Sequence, residues 1–393
     1  MQVFTTKSRI VITCHKWLSP ALQAEVIALG YEIEAAGQTS VTLIGTAQDC
    51  IRLNLNLRCA SQVMYSLKSF SCDSPDELYN ALLPIPWDKL LAPDGYFSVT
   101  SNVSHSSITN GMFANLKVKD AIVDHMRDKT NQRPSTGAEL KGVVINLFWK
   151  YGEAEVFIDT SGETLTKHGY RKLPGKAPML EALAAATILS TKWDKSGLFV
   201  NPMCGSGTLA IEAALIATNR TPGLLRNQYA FMHLIGYQPD MYTTEREKLD
   251  KIVKKVSGLK IIASDISSAA ISVAKTNAEA AGVANLIDFA TCDFERTTIP
   301  TATNGVVMLN PEYGERLGVE AELELTYARI GDFFKNKCAG YTGYIFTGNL
   351  ELAKKIRLKT SRRIEFFNAT IDCRLLEYAL YDGTKRVEKL VNE

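Results

Sequence analysis

Four short polar motifs in this sequence each follow an apolar run, and together they hold the residue types that could do chemistry. They are NPMCGSGT (residues 201–208), Asp265 in IIASDIS, Asp293 in TCDFE, and NPEY (residues 310–313) after GVVML. In the first, Gly205 and Gly207 let the backbone turn tightly and come close to a ligand without an intervening Cβ. The helix-like run LAIEAALIA behind them would aim free N–H groups and a partial positive charge at that ligand. The stretch is not a GxGxxG fingerprint, and the chain has no GxxxxGK[ST], so NAD and ATP phosphates are poor candidates. A nucleoside with a small anionic tail suits the turn better.

Asp265 ends the next apolar run, where an acid can accept hydrogen bonds from ribose hydroxyls. It lies much further along than the roughly 20 residues which that arrangement expects, so the intervening NRTPGLLRNQYAFMHLIGYQPDMYTTEREKLDKIVKK reads as an insertion or an extra helical pair. Asp293 could accept from an exocyclic amino group, and the adjacent Phe294 could stack on a purine. Each of these, alone, also reads as an ordinary strand–helix turn or a helix cap. Their succession at consecutive strand ends carries the argument. In NPEY, the Asn310 side-chain oxygen and the Pro311 carbonyl could accept the two N–H bonds of a base amino group. That would orient a poorly nucleophilic nitrogen and stabilise the charge it develops. Tyr313 could stack on a base taken out of its helix.

The motifs need a sheet to present them. From residue 167 onward, apolar runs alternate with helical patterns: GLFV, KIIAS, LIDFAT, GVVML and GYIFT each meet a polar loop, as in a doubly wound parallel sheet with ligands beyond the strands' carboxyl ends. Upstream lie two α+β units. Residues 1–65 read as strand, helix, two strands and a helix, AQDCIRLNLNLRCASQVMYSL. Residues 66–166 read as helix, strand, amphipathic helix and two strands. The second unit shows no catalytic acid–base pair and is expected to bind or position.

The chain has 393 residues, 46% hydrophobic and 22% charged, with a formal net charge of +2. These are the proportions of a soluble globular protein. The longest apolar stretches fall short of the roughly 18–20 residues a membrane span needs, and the first residues lack the apolar core of a signal peptide. No membrane partner is expected. The eight cysteines are scattered without a CxxC pair, which predicts no metal site and a reducing, cytoplasmic setting. Near-neutrality argues against an overall nucleic-acid-binding charge, but two runs stand out. Lys354, Lys355, Arg357, Lys359, Arg362 and Arg363 fall within thirteen residues without an acid, and KHGYRKLPGK (residues 167–176) is also basic. Either could be a solvated helix face; two in one near-neutral chain favour a polyanionic partner.

In this order, NPMCGSGT, SDIS, TCDFE and NPEYGER resemble the class I S-adenosylmethionine-dependent methyltransferases that act on base amino groups. LTKHGYRKLPGKAPMLEALAAATILSTKW, running into NPMCGSGTLAIEAALIA, is similar to the THUMP-domain RNA guanine-N2 methyltransferases, the group that includes the N-terminal half of the fused bacterial 23S rRNA methyltransferase. The resemblance covers almost the whole chain. It implies a ferredoxin-like unit (1–65), a THUMP domain (66–166) and a Rossmann-like methyltransferase domain (167–393). Pro202, Cys204, Gly205, Ser206, Gly207 and Thr208 would line the methionine end of S-adenosylmethionine, Asp265 would hold its ribose, and Asp293 with Phe294 its adenine. Asn310 and Pro311 would face the guanine amino group, with Tyr313 stacking and the basic run 354–363 gripping RNA. Two positions depart from the family pattern: Asn201 and Met203 where Asp and Phe are usual, and Glu312 where a second proline is usual. That proline would stiffen the loop by fixing φ. The implied activity is methylation of a guanine N2 in 23S rRNA. Transfer to tRNA, an adenine-N6 DNA methyltransferase and a non-catalytic RNA-binding assembly factor are the alternatives. The oligomeric state is not legible.

Overall fold

The computed structural model describes residues 2–105, 111–173, 178–301, 304–313 and 320–381. The chain folds into two compact units: residues 1–166 with 221–252, and residues 167–220 with 253–393.

The first unit is built on one eight-stranded sheet. Its strands are β1 (Ser8–Thr13), β2 (Ala35–Ala36), β3 (Ser40–Gly45), β4 (Gln62–Ser71), β5 (Tyr96–Ser104), β6 (Ser135–Gly137), β7 (Val143–Lys150) and β8 (Glu153–Asp159), in the order β2-β3-β1-β4-β8-β7-β5-β6. The helix expected from AQDCIRLNLNLRCASQVMYSL stops at Asn56, and the rest of that run enters β4. Helix Ala47–Asn56 starts where the sequence says it should: Thr46 and Asp49 form a reciprocal capping box, satisfying two free N–H groups. The expected boundary at residue 65 falls inside β4, because β4 pairs with β1 through Gln62–Tyr65 and with β8 from Met64 to Ser71. One strand therefore serves both N-terminal parts.

The insertion ahead of Asp265 does not stay with the motifs it interrupts: residues 221–252 pack in the first unit. Its Arg226 donates to the carbonyls of Ser161, Glu163 and Thr164, at 2.9, 2.9 and 3.2 Å. In that loop Asp159 is fully buried, and its Oδ1 accepts the N–H groups of Ser161 and Gly162 at 2.9 and 3.3 Å.

The second unit carries the motifs. Its strands are β9 (Leu198–Pro202), β10 (Lys260–Asp265), β11 (Ile287–Thr291), β12 (Val306–Leu309), β13 (Thr342–Thr347), β14 (Arg362–Asn368) and β15 (Ile371–Ala379), in the order β11-β10-β9-β12-β13-β15-β14. The expected parallel sheet is present, extended by a hairpin in which β15 runs antiparallel to β13 and β14. Helix Thr208–Ala217 is buried at every position, and eight of the nine residues of helix Glu181–Leu189 are buried. Helices apolar round nearly their whole circumference belong inside a fold, and the two buried carboxylates they carry, Glu212 and Glu181, pair with His168 and Arg171. On the other side of the sheet Val307, Leu309 and Ile345 pack with Tyr327, Ile330, Phe333 and Phe334 of helix Glu320–Lys337.

The order reverses between β9 and β12: from β9 the chain adds β10 and β11 on one side, then β12 and β13 on the other. β9 and β12 pair only at Phe199/Val306 and Val200/Val307. Beyond this they part, and the Asn201 side-chain amide bridges the gap by donating to the Met308 carbonyl at 2.9 Å. A doubly wound sheet opens its ligand crevice at such a reversal.

Burial pushes the Asp159 carboxyl up from its ordinary 3.8 to about 7, against the opposing pull of its two backbone donors and Arg226. Between about pH 4 and pH 7 the folded chain then holds a proton that the unfolded chain has released, so stability falls as pH rises through that window and levels off above it. Thermal melts of wild type and Asp159→Asn across this range should show the difference between them shifting in favour of the asparagine variant up to about pH 7, then holding constant.

Candidate active site

The glycine loop leaves β9 through Met203, whose φ is 57°, and enters its helix through Gly207, whose φ is 81°. Gly207 cannot carry a side chain: a Cβ there would lie 2.9 Å from Ala274 Cβ on helix Ser268–Ala281. Gly205, at φ 54°, has no atom of the described residues beyond its chain neighbours within 4 Å of where its Cβ would be. One glycine is demanded by packing, and the other leaves a vacancy in front of the helix N-terminus.

Several groups hold the loop's shape. The Cys204 N–H donates to the Ser264 carbonyl at 2.9 Å, and the Gly205 N–H donates to Asp265 Oδ2 at 2.9 Å. The other Asp265 oxygen accepts from the Ser267 N–H at 2.9 Å. A carboxylate has about four acceptor positions; two are used, leaving capacity for ribose hydroxyls. Burial pushes the Cys204 thiol up to about 12, so it stays protonated and is no nucleophile.

Two residues that the motifs did not single out brace this loop. Arg171 donates to Thr208 Oγ1 at 3.2 Å, Ser206 Oγ at 3.4 Å, the Met179 carbonyl at 2.7 Å and Glu181 at 3.2 Å. Asn277, itself buried, donates to the carbonyls of Leu173 and Ser206 and accepts the N–H groups of Lys172 and Leu173. Arg171 had been counted in the basic run 167–176. That run is solvated only in part: Lys167 and Lys172 are exposed, but His168 and Tyr170 are buried, and His168 pairs with buried Glu212 at 2.8 Å. Lys176 lies outside the described residues.

Asp293 sits where an adenine-facing acid was expected, at the end of β11, but it is engaged. Both its oxygens accept from one Arg329 nitrogen at 2.9 Å, which also donates to Glu295 at 2.6 Å. Burial opposes the charge on Asp293, yet the Arg329 guanidinium and the Glu295 N–H outweigh it and hold the carboxyl below its ordinary value. Phe294 departs from expectation. It is 5% exposed, edge-on to Phe333 at 5.8 Å, with Arg329 4.8 Å from its ring centroid on another side. The ring is a core side chain and not a free stacking surface, because an apolar residue after a strand-end acid finds the helix behind the sheet first.

At the end of β12, Pro311 is buried and Glu312 exposed. Asn310 Oδ1 is buried and has no hydrogen-bond partner among the described residues. Leaving such an acceptor unpaired costs about 1–3 kcal/mol, so the site carries an acceptor waiting for a donor. Tyr313 is half-buried; its hydroxyl accepts from Asn368 Nδ2 at 2.9 Å, and burial pushes it up to about 12. Residues 314–318, the rest of the NPEYGERLG motif, lie outside the described residues. The basic run 354–363 is not one helix face: helix Leu350–Lys354 ends within it, Arg357 turns at φ 56°, and β14 begins at Arg362. Acids from outside the run meet part of it, Glu351 at Lys354 and Glu324 at Lys355. Arg362 reaches the Ser190 carbonyl at 3.3 Å and Arg363 reaches Thr360 at 3.2 Å, while Lys359 is exposed.

A parallel sheet opened at its reversal, with a glycine loop leading into a helix and a strand-end acid bonded to that loop, is the architecture of a class I, Rossmann-like methyltransferase. Comparison with known proteins agrees. Residues 168–377 match the RMKL-like methyltransferase domain, residues 9–64 the RlmL ferredoxin-like domain and residues 72–159 the THUMP domain. The chain belongs to the RMKL-like family of S-adenosylmethionine-dependent methyltransferases. The ribosomal RNA large subunit methyltransferase K/L of Syntrophotalea carbinolica is 34% identical over 377 residues, 93% of this chain and 53% of that protein. This chain spans about half the length of the curated relatives it matches. Among solved structures, SMU.472 in complex with SAH superposes with a TM-score of 0.86 at 25% identity, covering 97% of this chain and 99% of that one. A Listeria monocytogenes protein described as a predicted N6-adenine-specific DNA methylase superposes with a TM-score of 0.86 at 29% identity, covering 95% and 96%.

The two loop glycines should part ways on substitution. Gly207→Ala should lower the melting temperature, at a cost of about 1–3 kcal/mol, from overpacking against Ala274 and a strained φ. Gly205→Ala should fold with a smaller loss and weaken S-adenosylhomocysteine binding at least tenfold in titration calorimetry, on the order of 1.4 kcal/mol.

Proposed function

We propose that this chain methylates the exocyclic N2 of a guanine in RNA, with 23S rRNA as substrate. The observation that carries the reading is Asn310 Oδ1, a buried acceptor with no donor among the described residues, at the mouth of β12. An amino group is the complementary donor. S-adenosylmethionine supplies, when bound, a methyl carbon made electrophilic by its sulfonium. The vacancy at Gly205 and the remaining acceptor capacity of Asp265 fit that cofactor, with Pro202, Cys204, Ser206, Gly207 and Thr208 around its methionine end and Asp293 toward its adenine.

The chain's own groups then do the positioning. Asn310 Oδ1 and the Pro311 carbonyl accept the two N–H bonds of the guanine amine, which turns its nitrogen toward the methyl carbon. As that nitrogen gains positive charge, the two fixed dipoles stabilise it, and they need no reorganisation to do so. Tyr313, kept protonated, offers its ring to the base and does not act as the proton acceptor; the proton that the methylated nitrogen then loses passes to water. Arg357, Lys359 and Arg363, together with the THUMP domain, would hold phosphates and RNA shape, leaving sequence choice to the RNA fold.

Adenine N6 is a second reading, favoured by the description of the Listeria relative and chemically compatible with the same acceptor pair. Incubation with labelled S-adenosylmethionine and 23S rRNA, total tRNA or duplex DNA, followed by nucleoside digestion, separates the two. N2-methylguanosine from 23S rRNA is expected, falling about 100-fold in Asn310→Ala with S-adenosylhomocysteine affinity unchanged. Label in tRNA would move the substrate and keep the mechanism, while N6-methyladenine in DNA would overturn the reading.

A further inference from the structure

Glu312 occupies the position where a proline would stiffen the loop, so rigidity at Asn310 and Tyr313 must come from elsewhere. The structure supplies it from the β14–β15 hairpin. Asn368 is the last residue of β14 and pairs with Ile371 across a two-residue turn. Its side-chain amide donates to the Tyr313 hydroxyl at 2.9 Å, with Cys373 Sγ 4.0 Å from the same oxygen. The turn puts Ala369 at φ 54°, a conformation side-chain-bearing residues rarely adopt. The Tyr313 ring lies at a tilt of 64° to Phe346, with 6.4 Å between centroids. Beneath it is Gly348, where a Cβ would come within 3.0 Å of two Tyr313 ring carbons and 2.6 Å of Ile371. Ring, hydroxyl and underlying backbone are thus fixed by β13, β14 and β15, none of which belongs to the loop itself.

We propose that Asn368 is a positioning residue for the reaction: by clamping the Tyr313 hydroxyl it holds the 310–313 loop in the geometry that a proline at position 312 would otherwise impose. A hairpin residue that served only the hairpin's stability would have no link to position 312. The proposal predicts one. Glu312 is exposed, its φ is not positive, and its N–H makes no hydrogen bond among the described residues, so proline can be placed there without removing a bond.

The test is hydrogen exchange of the Asn310 and Tyr313 amides, alongside methyl transfer to RNA, in the full chain. Loss of one hydrogen bond of about 1 kcal/mol should speed exchange roughly fivefold in Asn368→Ala, and Tyr313→Phe should do the same while leaving the hairpin residue in place. The double variant Asn368→Ala/Glu312→Pro should return exchange to near the wild-type rate. In the activity arm, which rests on the function proposed above, kcat should fall by a similar factor in Asn368→Ala with S-adenosylhomocysteine affinity unchanged, and recover in the double variant. Unchanged exchange in both single variants would overturn the proposal, as would faster exchange that proline at 312 does not reverse. Should Asn368→Ala not fold, Tyr313→Phe with and without Glu312→Pro decides the same question. If the wild type transfers no methyl group to RNA, the substrate reading fails, and the exchange rates still settle the clamp.

Discussion

The site depends on the point where two parallel strands cease to be neighbours. β9 and β12 share only two paired positions, after which their backbones separate. A strand edge cannot be left with unpaired carbonyls in a buried setting without cost, and Asn201 meets that demand by donating its side-chain amide to Met308. The departure from the family's usual acid at position 201 makes sense here: an amide can donate to a carbonyl, and an ionised acid cannot. The glycine loop hangs from one lip of this opening and Asn310 from the other, with Asp265 and Asp293 at the ends of the next strands outward.

Holding a glycine-rich loop open in a fixed shape is the second constraint, because glycine loses more freedom on ordering than any other residue. The loop is therefore tied on several sides: Asp265 takes the Gly205 N–H, Arg171 spans Ser206 and Thr208, and Asn277 takes the Ser206 carbonyl. Arg171 gains from Glu181, a carboxylate 2% exposed, so the guanidinium is itself held in place. The vacancy at Gly205 survives because its surroundings are rigid.

The features legible in the sequence were those that repeat with a fixed register: strand, polar loop and helix, with a chemical residue type at each strand end. Asp265 and Asn310 stand where that pattern put them. Long-range partners were not legible. Arg171 looked like one charge in a basic run because nothing local shows that Glu181 and the glycine loop surround it, and Asn277 lies mid-helix with no motif around it. The burial of Phe294 was not legible because the sequence shows an aromatic beside an acid but not the helix that covers it. β4 was missed because its first half follows a helix without a glycine or proline stop. The basic run 354–363 contains no acid, yet Glu324 reaches Lys355 from another helix. Charge balance on a surface is a property of the fold and not of a window.

The segment 221–252 has a consequence for how the molecule is made. The first unit is not finished when residue 166 has been synthesised, since Arg226 and the residues around it come only after the glycine loop and its helix. Domains fold as units, usually N-terminal first, as the chain emerges at about 5–20 residues per second. Here the earlier unit must wait, with its Asp159 loop lacking Arg226, while 54 residues of the later one (167–220) leave the ribosome. Three crossings of the chain between the units also mean that no single cut yields two complete pieces. In vectorial synthesis the N-terminal unit is therefore completed only after the first part of the catalytic unit has been made.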